Sequence, residues 1–374
     1  MIIWIFFLCT CYLLLMVYNS SRISEKQRVY ALLGLMFVCV FFSTFRDGIG
    51  TDYTAYQTNC EIKRNYWELG LLTEPFPELL YSLCYNSKIS AVLFFFVTSS
   101  IICVSSIWVY SKFKYFCLAG FLFITYTNLF LSSLNLVRQF TAAAIVLYAT
   151  YYFVMKKKSP LFFLFVFLAF LWHKSALLSV FIYFLRQKDF NVFFWLLVLL
   201  ISWIAPVDRI FNIPIIGDVL DALNYLSYSS YDKEAYSRTS LVNLYVHLII
   251  VICIAGKSKI KNETDLRNFN IALKLSLLSV IFCNISANSL PFAYRYGIFF
   301  SVYLPILFSY LPVIIGKTFA KTIVYIPILF LLLLVLSGKR NDRVFCPQRI
   351  LPLESVYDEN YHPYENPEYY MFIK

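Results

Sequence analysis

Uninterrupted apolar runs, each about the length of a membrane span, recur along this chain, and they constrain its fold more than any motif does. A helix rising 1.5 Å per residue needs about 20 apolar residues to cross a bilayer core. Such runs occupy 1–18, 29–45, 89–110, 115–134, 136–155, 190–207, 241–256, 268–288, 298–316 and 321–337. Of the 374 residues, 60% are hydrophobic and 14% charged, where soluble domains stand nearer 45–50% apolar and about 25% charged. The sequence therefore predicts an all-α, polytopic integral membrane bundle of about 10–12 segments. The first run has neither a basic n-region nor a small-residue cleavage site and reads as a retained span.

Segment 161–185 is the exception. Trp172-His173-Lys174-Ser175 interrupts its middle, and a charge at the bilayer centre is expensive. Two short helices meeting at a turn would enter and leave by one face. Charge counting favours that arrangement: with the N-terminus outside, the cytoplasmic loops hold 16 basic and four acidic residues, against 13 basic and 17 acidic on the opposite face. A single crossing would instead put the basic stretch 257–267 outside, against the positive-inside rule. The same distribution explains the net charge of +11 without nucleic acid as a partner. The long polar segments 46–88, 206–240 and 338–374 then share the outer face. A transmembrane domain is expected over 1–337, with the tail 338–374 packed against it. The ten cysteines are scattered and show no metal-ligand spacing; an outer location of 46–88 would allow Cys60 and Cys84 to pair.

No Walker loop, dinucleotide fingerprint, GxSxG or paired Cys/His ligand set is present. What stands out is polarity where polarity costs energy. Arg46-Asp47-Gly48-Ile49-Gly50-Thr51-Asp52-Tyr53 follows the second run and places a cation and two carboxylates around glycines that permit tight turns. Arg138, with Gln139 beside it, heads the fifth run, where a guanidinium fork can take phosphate oxygens bidentately. His173 and Lys174 stand at the tip of the broken segment, and an imidazole there can move a proton. Arg295 lies between Tyr294 and Tyr296 in a short outer loop, charge for a phosphate beside rings for a sugar face. His247, with no basic partner nearby in sequence, reads as structural. The carboxylates and tyrosines of 206–240 suit a sugar-binding cleft, and equally a solvated loop. Three arginines and a histidine on one outer face point to a strongly anionic, partly lipidic substrate, such as a lipid pyrophosphate.

At the level of motifs, the chain resembles the EpsG/Wzy-type polysaccharide polymerases, which join O-antigen, capsule or exopolysaccharide repeat units. The resemblance rests on Arg46 to Tyr56, Asn135-Leu136-Val137-Arg138-Gln139, Trp172-His173-Lys174-Ser175-Ala176, Tyr294-Arg295-Tyr296 and Tyr361-His362-Pro363-Tyr364. It implies inverting, metal-independent glycosyl transfer between undecaprenyl-pyrophosphate-linked oligosaccharides at the periplasmic face of the bacterial inner membrane. No cofactor is implied, and a chain-length regulator is a possible partner. Arg138 and Arg295 would hold the pyrophosphate with Arg46 in support, and Asp52 and His173 are the candidate bases. Gln139, Lys174, Tyr294 and Tyr296 would line the substrate. A flippase, or a ligase for the same lipid-linked glycans, is the alternative; the absence of an internal repeat counts against a transporter.

Overall fold

Capping sets the first helical boundary. In the computed structural model, α1 (Ile2–Asn19) gives way to α2 (Glu25–Thr44) at Ser24. The Ser24 hydroxyl accepts from the Gln27 N–H, and the Gln27 side chain accepts from the Ser24 N–H at 2.8 Å, so two orphan donors are satisfied reciprocally. The structure describes residues 2–50, 52–62, 74–87, 91–186, 191–204, 241–288, 293–337 and 349–350. After α2 come β1 (Arg46–Asp47), α3 (Tyr53–Glu61), α4 (Pro75–Ser87), α5 (Val92–Tyr110), α6 (Phe116–Thr125), α7 (Ser132–Asn135), α8 (Val137–Thr150) and α9 (Leu161–Trp172). A 3₁₀ helix (Lys174–Phe181), α10 (Ile182–Leu185), α11 (Val192–Ile204), α12 (Leu241–Gly256), α13 (Glu263–Asn288), α14 (Ala293–Ser301), α15 (Leu304–Phe308), α16 (Leu311–Ile315), α17 (Lys317–Ser337) and β2 (Arg349–Ile350) complete the order. This is the expected polytopic helical bundle.

Two runs expected to be straight are bent. Phe116–Thr125 and Thr127–Asn135 meet at 56°, and Ala293–Ser301 and Leu304–Ile315 at 43°. In the first, Tyr126 is extended (φ −76°, ψ 122°) and a π-turn follows over Thr127–Leu131. In the second, Pro305 cannot supply the N–H that would bond back to Ser301, and its ring crowds that carbonyl. By length and composition α2, α5 and most of α13 are the single helices long and apolar enough to cross a membrane among the described residues.

Segment 161–185 folds back on itself. The Phe162 and Tyr183 rings lie 6.1 Å apart and those of Phe163 and Tyr183 4.8 Å apart. As one continuous helix, residues 21 positions apart would be separated by roughly 30 Å. The 12 residues of α9 extend only about 18 Å, too short for a bilayer core. The tip is His173, extended at φ −160°. Both limbs are apolar and pack on each other, so the irregular backbone at the tip is enclosed by protein rather than lipid.

α2, α5, α8 and α9 pack in succession, and α13 packs on α11 and α14. Ser279 Oγ donates to the Gly297 carbonyl at 2.6 Å, and a Cβ at Gly297 would stand 3.0 Å from the Ser279 carbonyl oxygen, so the α13–α14 crossing requires glycine. Phe7 stacks between Phe42 (4.3 Å) and Phe130 (5.2 Å) in the interior, while Phe6, Phe37 and Phe193 remain exposed on the perimeter where lipid would lie. Helices that end at the basic face have their carbonyls met by lysines: Lys259 Nζ donates to Ile314 at 2.6 Å and Lys274 Nζ to Leu185 at 3.0 Å. Lys274, a charge inside an apolar run, is thus accounted for.

α3 and α4 dock on the start of α5, where Tyr56 and Tyr81 both stack on Phe94, at 5.2 and 4.8 Å. One turn further along each helix, the Cys60 and Cys84 side chains are buried beside each other and are not joined by a disulfide. The β1 backbone pairs antiparallel with β2, Arg46 opposite Ile350. Segment 206–240 and Tyr361-His362-Pro363-Tyr364 lie outside the described residues.

The hairpin makes a direct prediction. Cysteines placed at Ser159 and Arg186, flanking its two limbs, should react with an impermeant maleimide from the same side of the membrane, above the background of the native thiols. Labelling from opposite sides would contradict it.

Candidate catalytic site

The turn after α2 is clamped to α7, the short helix before α8. Arg46 is buried and donates to the Ser43 and Leu134 carbonyls, the latter at 3.1 Å, with its guanidinium 4.1 Å from the Phe95 ring centroid. Gly50 has φ +96°, and a Cβ there would meet Asn135 Oδ1 at 2.9 Å and the Leu134 carbonyl at 3.2 Å. The space is taken because Asn135 Oδ1 accepts the Asp52 N–H at 2.9 Å, at the start of α3. Tyr56 donates to the Asn135 carbonyl at 3.2 Å. In this state Arg46, expected to support a bound anion, serves as a tether whose fork faces carbonyls and a ring.

The charged centre forms around a carboxylate that did not stand out in the sequence. Glu74 is 7% exposed and holds φ +60°, immediately before Pro75, which opens α4. Its Oε2 lies 2.6 Å from Arg138 Nη1, and its Oε1 accepts the Lys174 backbone N–H at 3.2 Å. His173 Nε2 stands 3.9 Å from the same Oε1. Glu74 therefore joins the loop before α4, the head of α8 and the tip of the hairpin. The Glu74 carboxylate thus takes a backbone N–H that has no partner within the 3₁₀ helix.

The hydrogen bonds of His173 assign its tautomer. Nδ1 accepts the Ser175 N–H at 3.2 Å and lies 2.7 Å from Ser175 Oγ. A nitrogen that accepts carries no proton, so the neutral ring bears its hydrogen on Nε2, facing Glu74. The lone pair that a base would use is engaged by the cap.

Arg295 joins this group electrostatically: the fields of Arg138 and Arg295 both reach His173 and Tyr56. Burial pushes the Tyr56 phenol up to about 12, the Asp52 carboxylate adding to the shift and the two guanidiniums opposing it. Gln139, 2% exposed, donates from Nε2 to the Arg295 carbonyl, fixing the start of α14 against α8. Tyr294 donates to Asn128 Oδ1 at 3.3 Å, whereas the Tyr296 ring is buried 5.5 Å from that of Phe282 and packs into the bundle. The structure thus gathers Arg138, His173, Lys174 and Arg295, sets Asp52 at the head of α3, and gives Gln139 and Tyr296 supporting positions. His247 lies 3.3 Å from Asn284 Nδ2 and 5.1 Å from the Trp203 ring, a polar contact between α12 and α13. Among the described residues, no three His, Cys, Asp or Glu side chains converge as a metal-ligand group.

The Gly50–Asn135 contact can be tested by a double-mutant cycle. Gly50→Ala should destabilise the purified protein by about 1–3 kcal/mol, from φ strain and the clash together. Asn135→Ala removes the clashing atom, so the double variant should lose less than the sum of the singles by more than about 0.5 kcal/mol in thermal denaturation. Strict additivity would show that the two residues do not touch.

Sequence comparison agrees with this architecture. The profile of the EpsG family matches residues 29–341, from early in α2 to beyond the end of α17 and across every residue of the charged centre. No curated relative and no solved structure matches the chain. The chain belongs to the EpsG family.

Proposed function

We propose that this protein is a polymerase that joins lipid-linked oligosaccharide repeat units into a surface polysaccharide. EpsG membership supports a role in polysaccharide polymerisation. The observation that carries the reading is the convergence of Arg138, Arg295 and Lys174 at one end of an apolar bundle, with an acidic side chain already bound to Arg138. Charge of that kind, at the membrane boundary, suits a substrate with a pyrophosphate head and a lipid tail.

The substrate in this reading is an undecaprenyl-pyrophosphate-linked oligosaccharide, bound at the periplasmic face of a bacterial inner membrane with its tail among the membrane lipids. A hydroxyl of the acceptor repeat attacks C1 of the donor's reducing-end sugar from the side opposite the pyrophosphate, forming the new C1–O bond with inversion. The old C1–O bond breaks and its electron pair stays on the pyrophosphate. Arg138 and Arg295 stabilise that leaving group by fixed charge and bidentate hydrogen bonds, with Lys174 beside them. In this reading Tyr294 would meet the sugars, and Asp52, at the head of α3, is a candidate base for the acceptor hydroxyl. A chain-length regulator would act as a separate partner.

Surface glycan length in cells lacking the gene tests this reading. Wild type should restore a ladder, and Arg138→Ala, present in membranes at normal level, should leave core plus a single repeat. Loss of even the single repeat in the deletion strain would favour a flippase or ligase, and an unchanged ladder would remove the protein from this pathway.

A further inference from the structure

Glu74 occupies the place where the polymerase reading requires an anion. Its Oε2 takes one prong of the Arg138 fork, Nη1, at 2.6 Å, a charge-assisted hydrogen bond. A pyrophosphate with more charge and more acceptor oxygens competes for the same donors. The resting site is therefore already filled by a group of the same chemistry as the substrate's leaving group, and binding must exchange one for the other.

The neighbours of Glu74 determine the consequence of that exchange. Among the described residues, Oε1 is held only by the Lys174 N–H at 3.2 Å, with His173 Nε2 at 3.9 Å, beyond a hydrogen bond. The backbone of Glu74 sits at φ +60°, a conformation L side chains adopt at a cost. His173 cannot serve as the proton acceptor while Nδ1 caps the 3₁₀ helix and Nε2 carries hydrogen. It can donate Nε2–H to a carboxylate that moves closer.

We propose that Glu74 is an exchangeable carboxylate that occupies the Arg138 site in the resting enzyme and, once pyrophosphate displaces it, becomes the general base for the acceptor hydroxyl. The inference rests on the polymerase reading. In the step, the acceptor oxygen bonds to C1, its proton passes to a Glu74 oxygen, and the C1–O bond to pyrophosphate breaks with the electron pair on the leaving group. Arg138 thereby couples the two halves of the reaction. Only a site holding a donor pyrophosphate frees its base, which limits activation of water or of an acceptor when no donor is bound. The developing charge stays balanced, since the negative charge leaving Glu74 on protonation is replaced by that of the departing pyrophosphate.

Two measurements on the purified full chain in nanodiscs test the exchange. In the wild type, labelling of Glu74 by dicyclohexylcarbodiimide, mapped by mass spectrometry, should rise several-fold on addition of inorganic pyrophosphate. Unchanged or reduced labelling overturns the exchange. Glu74→Gln, which removes the competing charge, should bind pyrophosphate several-fold more tightly than wild type, and in cells it should leave single repeats without a ladder. A purely structural Glu74 would give weaker pyrophosphate binding, and a retained ladder would overturn its role as base. If Glu74→Gln does not accumulate in membranes, the wild-type labelling decides alone. Failure of the polymerase reading shows separately, as an intact ladder in the deletion strain.

Discussion

A single buried carboxylate holds the functional end of this protein together. Glu74 binds the head of α8 through Arg138 and the tip of the hairpin through the Lys174 N–H. These segments are joined to the rest of the fold by apolar packing, which sets their approach but not their register, because packing of phenylalanines and leucines is tolerant of small slides. Charge-assisted hydrogen bonds are directional and supply that missing constraint. A buried ion pair adds little net stability against a well-packed apolar alternative. Its contribution at this position is specification of geometry.

The Arg46 tether does the same for the opposite wall. With its fork on the Ser43 and Leu134 carbonyls, it fixes the chain as it leaves α2 against α7, which leads into α8. Asn135, the last residue of α7, then accepts the Asp52 N–H at the head of α3. Arg138 is three residues further on, so the position of its guanidinium is inherited from a backbone held at both Leu134 and Asn135. Irregular helix is what makes this possible: the extended Tyr126 and the π-turn after it end the straight run early and leave Asn135 and Arg138 facing α3 and α4.

Much of this was legible in the sequence because burying charge in lipid is costly. Arg138, His173 and Lys174 stood out as polar residues among apolar ones, and the structure brings all three to one point. The hairpin at 161–185 was readable for the same reason, since one His-Lys pair in mid-run and the basic loops around it admit few arrangements. Glu74 was not legible, because a glutamate in a polar loop is ordinary and nothing local ties it to a residue 64 positions away. Its place directly before Pro75 marked a turn without indicating its partner. Arg46 showed the converse limit: a cation just after a span can face a ligand or its own backbone, and only the positions of the Ser43 and Leu134 carbonyls decide. The bend at Tyr126 was hidden because Tyr-Thr-Asn contains neither proline nor glycine.

The hairpin also governs the sidedness of everything after it. Because its two limbs enter and leave together, it adds no crossing, and the parity of α11 to α17 is the same as if residues 161–185 were a loop. A one-way helix in its place would turn the second half of the chain over, carrying Arg295 to the face opposite Arg138. The two guanidiniums act on the same histidine only because the number of crossings between them, hairpin included, stays even.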